Sequence, residues 1–110
     1  MKTNITINKE RFLQRLDELA QNGALEDGGV SRLALTDADK AARDLTVSWM
    51  KSLGLAVQID QVGNIFGLRP GKENLPPVML GSHIDSVTVA GRYDGSYGVM
   101  APREAESEPS

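Results

Sequence analysis

The chain is organised around one stretch of sequence, Pro77-Val78-Met79-Leu80-Gly81-Ser82-His83-Ile84-Asp85-Ser86. The apolar run at its start predicts a buried core strand that ends at Gly81. Directly after it comes the only histidine of the 110 residues, and a second stretch follows closely, Gly91-Arg92-Tyr93-Asp94-Gly95. An imidazole and carboxylates at the exit of a rigid strand are donors that a metal site requires. We therefore expect this strand end to carry the functional site.

The composition excludes several classes of protein. A chain of 110 residues with 40% hydrophobic residues is typical of one small globular domain. The net charge of −3 and the lack of a basic patch argue against a nucleic-acid partner. No apolar run approaches the roughly 18–20 residues that span a bilayer, so no membrane association is expected. Cysteine is absent and the N-terminus lacks an apolar signal core, which favours a cytoplasmic location.

Two helices are predicted in the first half of the chain. The first runs from about residue 9 to 21, with Asn8 as N-cap, apolar residues at helical spacing and Gly23 as the stop. The second begins at Thr36 and is stopped by Gly54. Trp49 lies on the apolar stripe of this helix, so we expect it in the core rather than in a ligand site.

The second half predicts strands and an irregular end. Residues 55–60 and 65–68 favour a β-hairpin, and residues 78–81 favour the core strand. Two helices, a hairpin and a core strand leading to the site indicate an α/β fold. Arg32, in the loop between the helices, is expected to be a solvated charge. Residues 101–110 are rich in glutamate and proline, which predicts a disordered tail.

The three candidate site residues each have two interpretations. His83 is either a metal ligand or a histidine that is merely hydrogen-bonded at a strand end. Asp85 lies on the same side of an extended backbone, where it can orient the imidazole or tune its basicity for proton transfer. Asp94 is either a ligand able to bridge two cations or a turn and helix-capping residue. These residues alone amount to half of a metal site, because catalytic zinc sites use about three protein ligands.

The same residues resemble a known family. The segments 81–86 and 91–99 look like the metal-binding segment of the hydantoinase/carbamoylase family of amidases. Segments 28–36, 41–44 and 60–67 also look like family segments in the expected order. The family includes N-carbamoyl-L-amino-acid hydrolases, allantoate amidohydrolases and β-ureidopropionases of the metallopeptidase-like type. The resemblance extends over nearly all of residues 8–99.

The resemblance implies a hydrolase with two divalent metal ions, which are zinc, manganese, cobalt or nickel in different members. His83 matches a metal-ligand histidine, Asp94 the aspartate that bridges both metals, and Asp85 the carboxylate that supports the histidine. A metal-bridging water would attack the ureido or amidine carbon of a small-molecule substrate, with a glutamate moving the proton. Metal and substrate identity are left open by these residues.

The resemblance also implies that much of the family's machinery lies outside this sequence. The Glu-Glu pair with the base, the more distant histidines and the lid domain through which full-length relatives form homodimers have no counterpart here. We therefore expect residues 1–100 to be an N-terminal part of a catalytic domain, inactive alone, followed by the tail at 101–110. The alternative is a non-catalytic fragment that binds a metal or a partner protein.

Overall fold

A computed structural model describes residues 7–107 as three helices and a two-stranded sheet. In chain order the elements are α1 (Lys9–Ala20), α2 (Asp37–Ser52), β1 (Ala56–Ile59), β2 (Ile65–Leu68) and α3 (Ser96–Ser107). This mixed arrangement confirms the predicted α/β class. Among the described residues, no helix is long and apolar enough to cross a membrane.

The predicted ends of the first two helices are confirmed by their caps. The side chain of Asn8 accepts a hydrogen bond from the Arg11 amide, and Thr36 accepts one from the Asp39 amide. Each interaction satisfies one of the backbone N–H groups that a helix start leaves without a partner. Gly23 adopts a φ of 87°, the left-handed conformation in which glycine commonly follows a helix.

The predicted hairpin is present as the antiparallel pair of β1 and β2. Its register places Ala56 opposite Leu68 and Ile59 opposite Ile65. The connecting turn is closed by Asp60, whose carboxylate accepts hydrogen bonds from the amides of Val62 and Asn64. A carboxylate that caps its own turn in this way fixes the register of the hairpin.

The core lies where the helices meet. Its buried members come from all three helices: Phe12, Leu16, Leu19, Ala42, Trp49 and Met100. Trp49 is 6% exposed, which confirms its predicted place in the core. The guanidinium groups of Arg15 and Arg103 lie 5.3 and 5.7 Å from the centre of its ring, within the range of cation–π attraction.

The predicted core strand at residues 78–81 is wrong. The structure has no strand there, and Val78 and Leu80 are 92% and 71% exposed. A strand requires a hydrogen-bonded neighbour, and within residues 7–107 the sheet pairs only β1 with β2. Among the described residues, the apolar run therefore has neither a strand to pair with nor a layer that covers it.

The predicted disordered tail is also corrected over most of its length. Helix α3 continues through residues 101–107 with Pro102 inside it, while residues 108–110 lie outside the described residues. The reason is a tertiary ion pair that local composition does not reveal. Glu104 is 1% exposed and accepts hydrogen bonds from Arg11 of α1 at 2.6 and 3.0 Å.

The assignment of residues 1–100 to a catalytic domain stays a prediction.

Candidate metal centre

The three predicted site residues lie together between β2 and α3. His83 and Asp85 belong to an irregular segment that is joined to the loop before α2, where the Ser86 amide donates to the Arg32 carbonyl at 2.7 Å. Asp94 lies in the turn that leads into α3. Neighbouring Arg92 forms an ion pair with Asp17 of α1, which ties this turn to the helical core.

The two ring nitrogens of His83 face different groups. Nδ1 lies 2.9 Å from the backbone carbonyl of Asp85 and 3.3 Å from its carboxylate. Both are acceptors, so we assign the proton of the neutral ring to Nδ1. Nε2 then presents its lone pair in the direction of Asp94, which is the orientation that a metal-ligating histidine needs.

Asp94 completes a pair of possible metal donors. Its Oδ1 lies 4.0 Å from Nε2 of His83. Two metal–ligand bonds of about 2.0–2.2 Å at a tetrahedral angle separate the donor atoms by about 3.4 Å, so a small side-chain movement brings both onto one ion. The donor chemistry, an imidazole and a hard carboxylate, suits several divalent metals.

The site is open and incomplete within residues 7–107. The side chains of His83, Asp85 and Asp94 are 53%, 45% and 62% exposed. No group of three imidazole, carboxylate or thiol side chains in the described part of the chain is arranged to hold a metal ion. The residues present therefore fit two positions of a metal site, and the remaining ligands would come from elsewhere.

Two glycines of α3 and its turn allow the His83 segment to approach. A Cβ atom added to Gly95, whose φ is 71°, would lie 2.6 Å from Nδ1 of His83. A Cβ atom added to Gly98 would lie 2.8 Å from Oγ of Ser82. Both separations are shorter than real contacts allow. The lack of a side chain at these two positions therefore permits His83 to pack against the start of α3.

The expectation that Arg32 is a solvated loop charge is wrong. The residue is 2% exposed, and its guanidinium donates to carbonyl groups of Leu19, Asn22 and Ile84. Burial lowers the pKa of Arg32, while the negative charges of Asp39 and Asp85 oppose that shift. The carbonyl acceptors offset the loss of hydration that burial imposes on the cation.

A local signal for this burial was present in the sequence. Val30 and Arg32 are two positions apart in a short extended piece, so their side chains share a face, and Val30 is also 2% exposed. That face can be recognised as buried only when the segment that packs beside it is known. This segment contains Ala90, which forms an antiparallel bridge with Val30 although the two are far apart in sequence. Sequence reasoning without that partner assigned Arg32 to solvent.

Comparison with known proteins supports a single family. The chain is 46% identical over 102 residues to an N-carbamoyl-L-amino-acid amidohydrolase from Pseudomonas sp. strain NS671, covering 92% of this chain and 24% of that protein. It is 43% identical over 94 residues to the allantoate amidohydrolase of Bacillus subtilis strain 168, covering 84% of this chain and 23% of that protein. No protein-family model matches the chain.

Solved structures agree with these sequence relationships. A hydantoinase/carbamoylase family amidase from Burkholderia vietnamiensis superposes with a TM-score of 0.91 at 47% identity, covering 97% of this chain and 26% of that one. The chain thus spans about a quarter of the length of the relatives that it matches. Over the part that it represents, the chain matches members of the hydantoinase/carbamoylase family of amidases in both sequence and fold.

Proposed function

We propose that the chain forms part of the catalytic domain of a metal-dependent amidohydrolase that cleaves non-peptide C–N bonds. The observation that carries the proposal is the orientation of His83, with Nδ1 on Asp85 and Nε2 facing Asp94. The relatives named as amidohydrolases of carbamoyl amino acids and of allantoate support a ureido or amidine substrate.

In this proposal each of the three residues has a distinct task. His83 and Asp94 contribute ligands to a centre of two divalent ions, and Asp85 fixes the ring orientation and tautomer of His83. The bound ions would supply Lewis acidity that polarises the scissile carbonyl group. The exposure of all three side chains leaves room for further ligands and for a substrate to reach the site.

A chimeric enzyme tests this function. The chain replaces the matching 102 residues of the Pseudomonas relative, and hydrolysis of an N-carbamoyl-L-amino acid is measured. We expect activity in the chimera and its loss on His83→Ala or Asp94→Ala. The matched control Asp44→Ala changes a carboxylate that is exposed on α2 and pairs with Lys40, so it should keep activity. A folded chimera that binds metal without hydrolysing the substrate would contradict the proposal.

The alternative function is metal binding without catalysis. It is favoured by one observation, namely that no third donor joins His83 and Asp94 within residues 7–107. Calorimetric titration of the purified chain with zinc and with manganese distinguishes the possibilities. Heat that is abolished by His83→Ala, together with an inactive chimera, would support this alternative.

A further inference from the structure

We infer that Arg32 is a positioning residue, which holds the segment of His83 and the start of α3 in the relative orientation that a metal centre needs. This inference rests on the proposed function of His83 and Asp94. It concerns a residue that touches neither the metal donors' side chains nor a substrate, so its action would pass through the backbone.

Arg32 is bonded to the His83 segment at two residues that follow the histidine, Ile84 and Ser86. Its Nε donates to the carbonyl of Ile84 at 2.7 Å. Ile84 is the residue between His83 and Asp85 in the sequence. Its own amide donates to Oγ of Ser86 at 2.7 Å, and the Ser86 amide returns a bond to the Arg32 carbonyl. Three hydrogen bonds, two of them to backbone groups of Ile84 and Ser86, therefore hold the segment that sets the distance between the His83 ring and the Asp85 carboxylate.

The same guanidinium reaches the other two elements of the site. One terminal nitrogen donates to the carbonyls of Leu19 and Asn22 at the end of α1, at 3.0 and 2.7 Å. The other lies 3.3 Å from Oγ of Ser96, the first residue of α3. The amide of Ser96 in turn donates to the carbonyl of Asp94 at 2.8 Å. One side chain thereby links the segments that carry His83 and Asp94.

The geometry of these bonds favours arginine over lysine. A guanidinium presents five N–H donors in a rigid planar fork, whereas a lysine ammonium presents three donors from a single atom. Arg32 directs three different nitrogens to acceptors in three separate segments. Lysine preserves the charge and cannot make these bonds together, so Arg32→Lys isolates the positioning function from the charge.

Because His83 is the only histidine in the sequence, the imidazole NMR signals of the chain report directly on its tautomer. In the unaltered 110-residue chain at alkaline pH, nitrogen NMR of the imidazole should show the Nδ1–H tautomer, because both neighbours of Nδ1 are acceptors. In Arg32→Lys we expect a mixed tautomer population. Binding of Co²⁺, followed by its visible absorption, should weaken by about 10–100-fold, the usual effect of removing an outer support of a metal ligand.

The matched control is Arg69→Lys, at an exposed position just after β2. It makes the same chemical change at an exposed residue that is not one of the site residues, and it should leave both the tautomer and Co²⁺ binding unchanged. An unchanged His83 spectrum in a folded Arg32→Lys chain would overturn the inference. A mixed tautomer population already present in the unaltered chain would overturn it too.

Two further substitutions decide the matter if Arg32→Lys does not fold. Ser96→Ala removes an acceptor of the Arg32 guanidinium, Ser86→Ala removes the acceptor of the Arg32 backbone amide, and both keep the arginine. A shift of the His83 tautomer in either folded variant supports the inference, and an unaltered spectrum in both overturns it. If the unaltered chain fails to bind Co²⁺, the two donors His83 and Asp94 do not hold the ion by themselves, while the metal-free spectra still decide the role of Arg32.

Discussion

Gly95 packs directly against the His83 ring: a Cβ atom at position 95 would lie 2.6 Å from Nδ1 and 2.5 Å from Cε1 of His83. Real Cβ atoms do not approach heavy atoms this closely. The glycine also has a φ of 71°, which side chains rarely adopt. Position 95 is thus constrained twice, by backbone conformation and by the candidate metal ligand.

Gly95→Ala should therefore destabilise the chain and displace His83. Left-handed strain of about 1–2 kcal/mol adds to overpacking of about 1–3 kcal/mol, so the free energy of unfolding should fall by about 2–5 kcal/mol. Gly54→Ala is the matched control, since Gly54 has a φ of 79° and nothing within 4 Å of an added Cβ. Urea unfolding of both variants measures the difference, and equal losses would show that the His83 contact is unimportant for stability.

Zinc binding should separate the function of Asp94 from that of Asp85. Asp94→Asn removes a charged ligand and should abolish calorimetric binding of zinc to the chain. Asp85→Asn keeps the backbone carbonyl that lies 2.9 Å from Nδ1, so binding should weaken by about 10–100-fold only. Asp44→Asn, on the exposed face of α2, should leave affinity unchanged. The same loss from Asp85→Asn and Asp94→Asn would argue that both are ligands.

Local sequence signals were sufficient for the first two helices and the hairpin. The caps at Asn8 and Thr36 and the turn around Asp60 all act within a few residues of themselves. His83, Asp85 and Asp94, which are close in sequence, also lie close together in the structure, because a short segment and a turn leave them little freedom to separate. Their role as metal ligands stays a prediction.

Long-range contacts explain what the sequence did not reveal. The acceptors of Arg32 lie in segments up to 64 positions away, and most are backbone carbonyls that every residue carries. Glu104 is buried by Arg11, which is 93 positions distant. The prediction for residues 78–81 is wrong in the opposite sense, because these residues were expected to be buried and are exposed. An apolar run is buried only when a second layer covers it. The amino-acid composition of a segment does not identify any of these long-range partners.

The pairing of Arg11 with Glu104 should contribute measurably to stability. Arg11 donates from two nitrogens to a carboxylate that is 1% exposed, although Arg11 itself remains 33% exposed. A double-mutant cycle with Arg11→Met and Glu104→Gln should give a coupling energy of about 1.5–3 kcal/mol, the range of charge-assisted hydrogen bonds.

The control for this pair is the exposed contact between Lys40 and Asp44 on α2. Surface ion pairs at this spacing contribute little because water screens both charges. The cycle with Lys40→Met and Asp44→Asn should thus give a coupling close to zero. If the Arg11 and Glu104 cycle gave an equally small value, α3 would not be anchored on α1 through Glu104.

The hairpin turn should make stability depend on acid pH. The hydrogen bond from the Asn64 side chain, followed by that from the Asn64 amide, lowers the pKa of Asp60. Because the folded pKa lies below the unfolded value of about 3.9, Asp60 stabilises the fold above that pH. The contribution should disappear as the pH falls through the folded pKa.

Asn64→Ala tests the cause of this dependence. It removes the side-chain donor, so the pKa of Asp60 should rise toward its ordinary value, as measured by NMR titration of the Asp60 carboxyl carbon. Asp60→Asn removes the titrating group, and its stability deficit relative to the unaltered chain should be present at pH 6 and should shrink at acid pH. An Asp60 pKa that is unaffected by Asn64→Ala would mean that the remaining amide donors alone hold the carboxylate in its charged form.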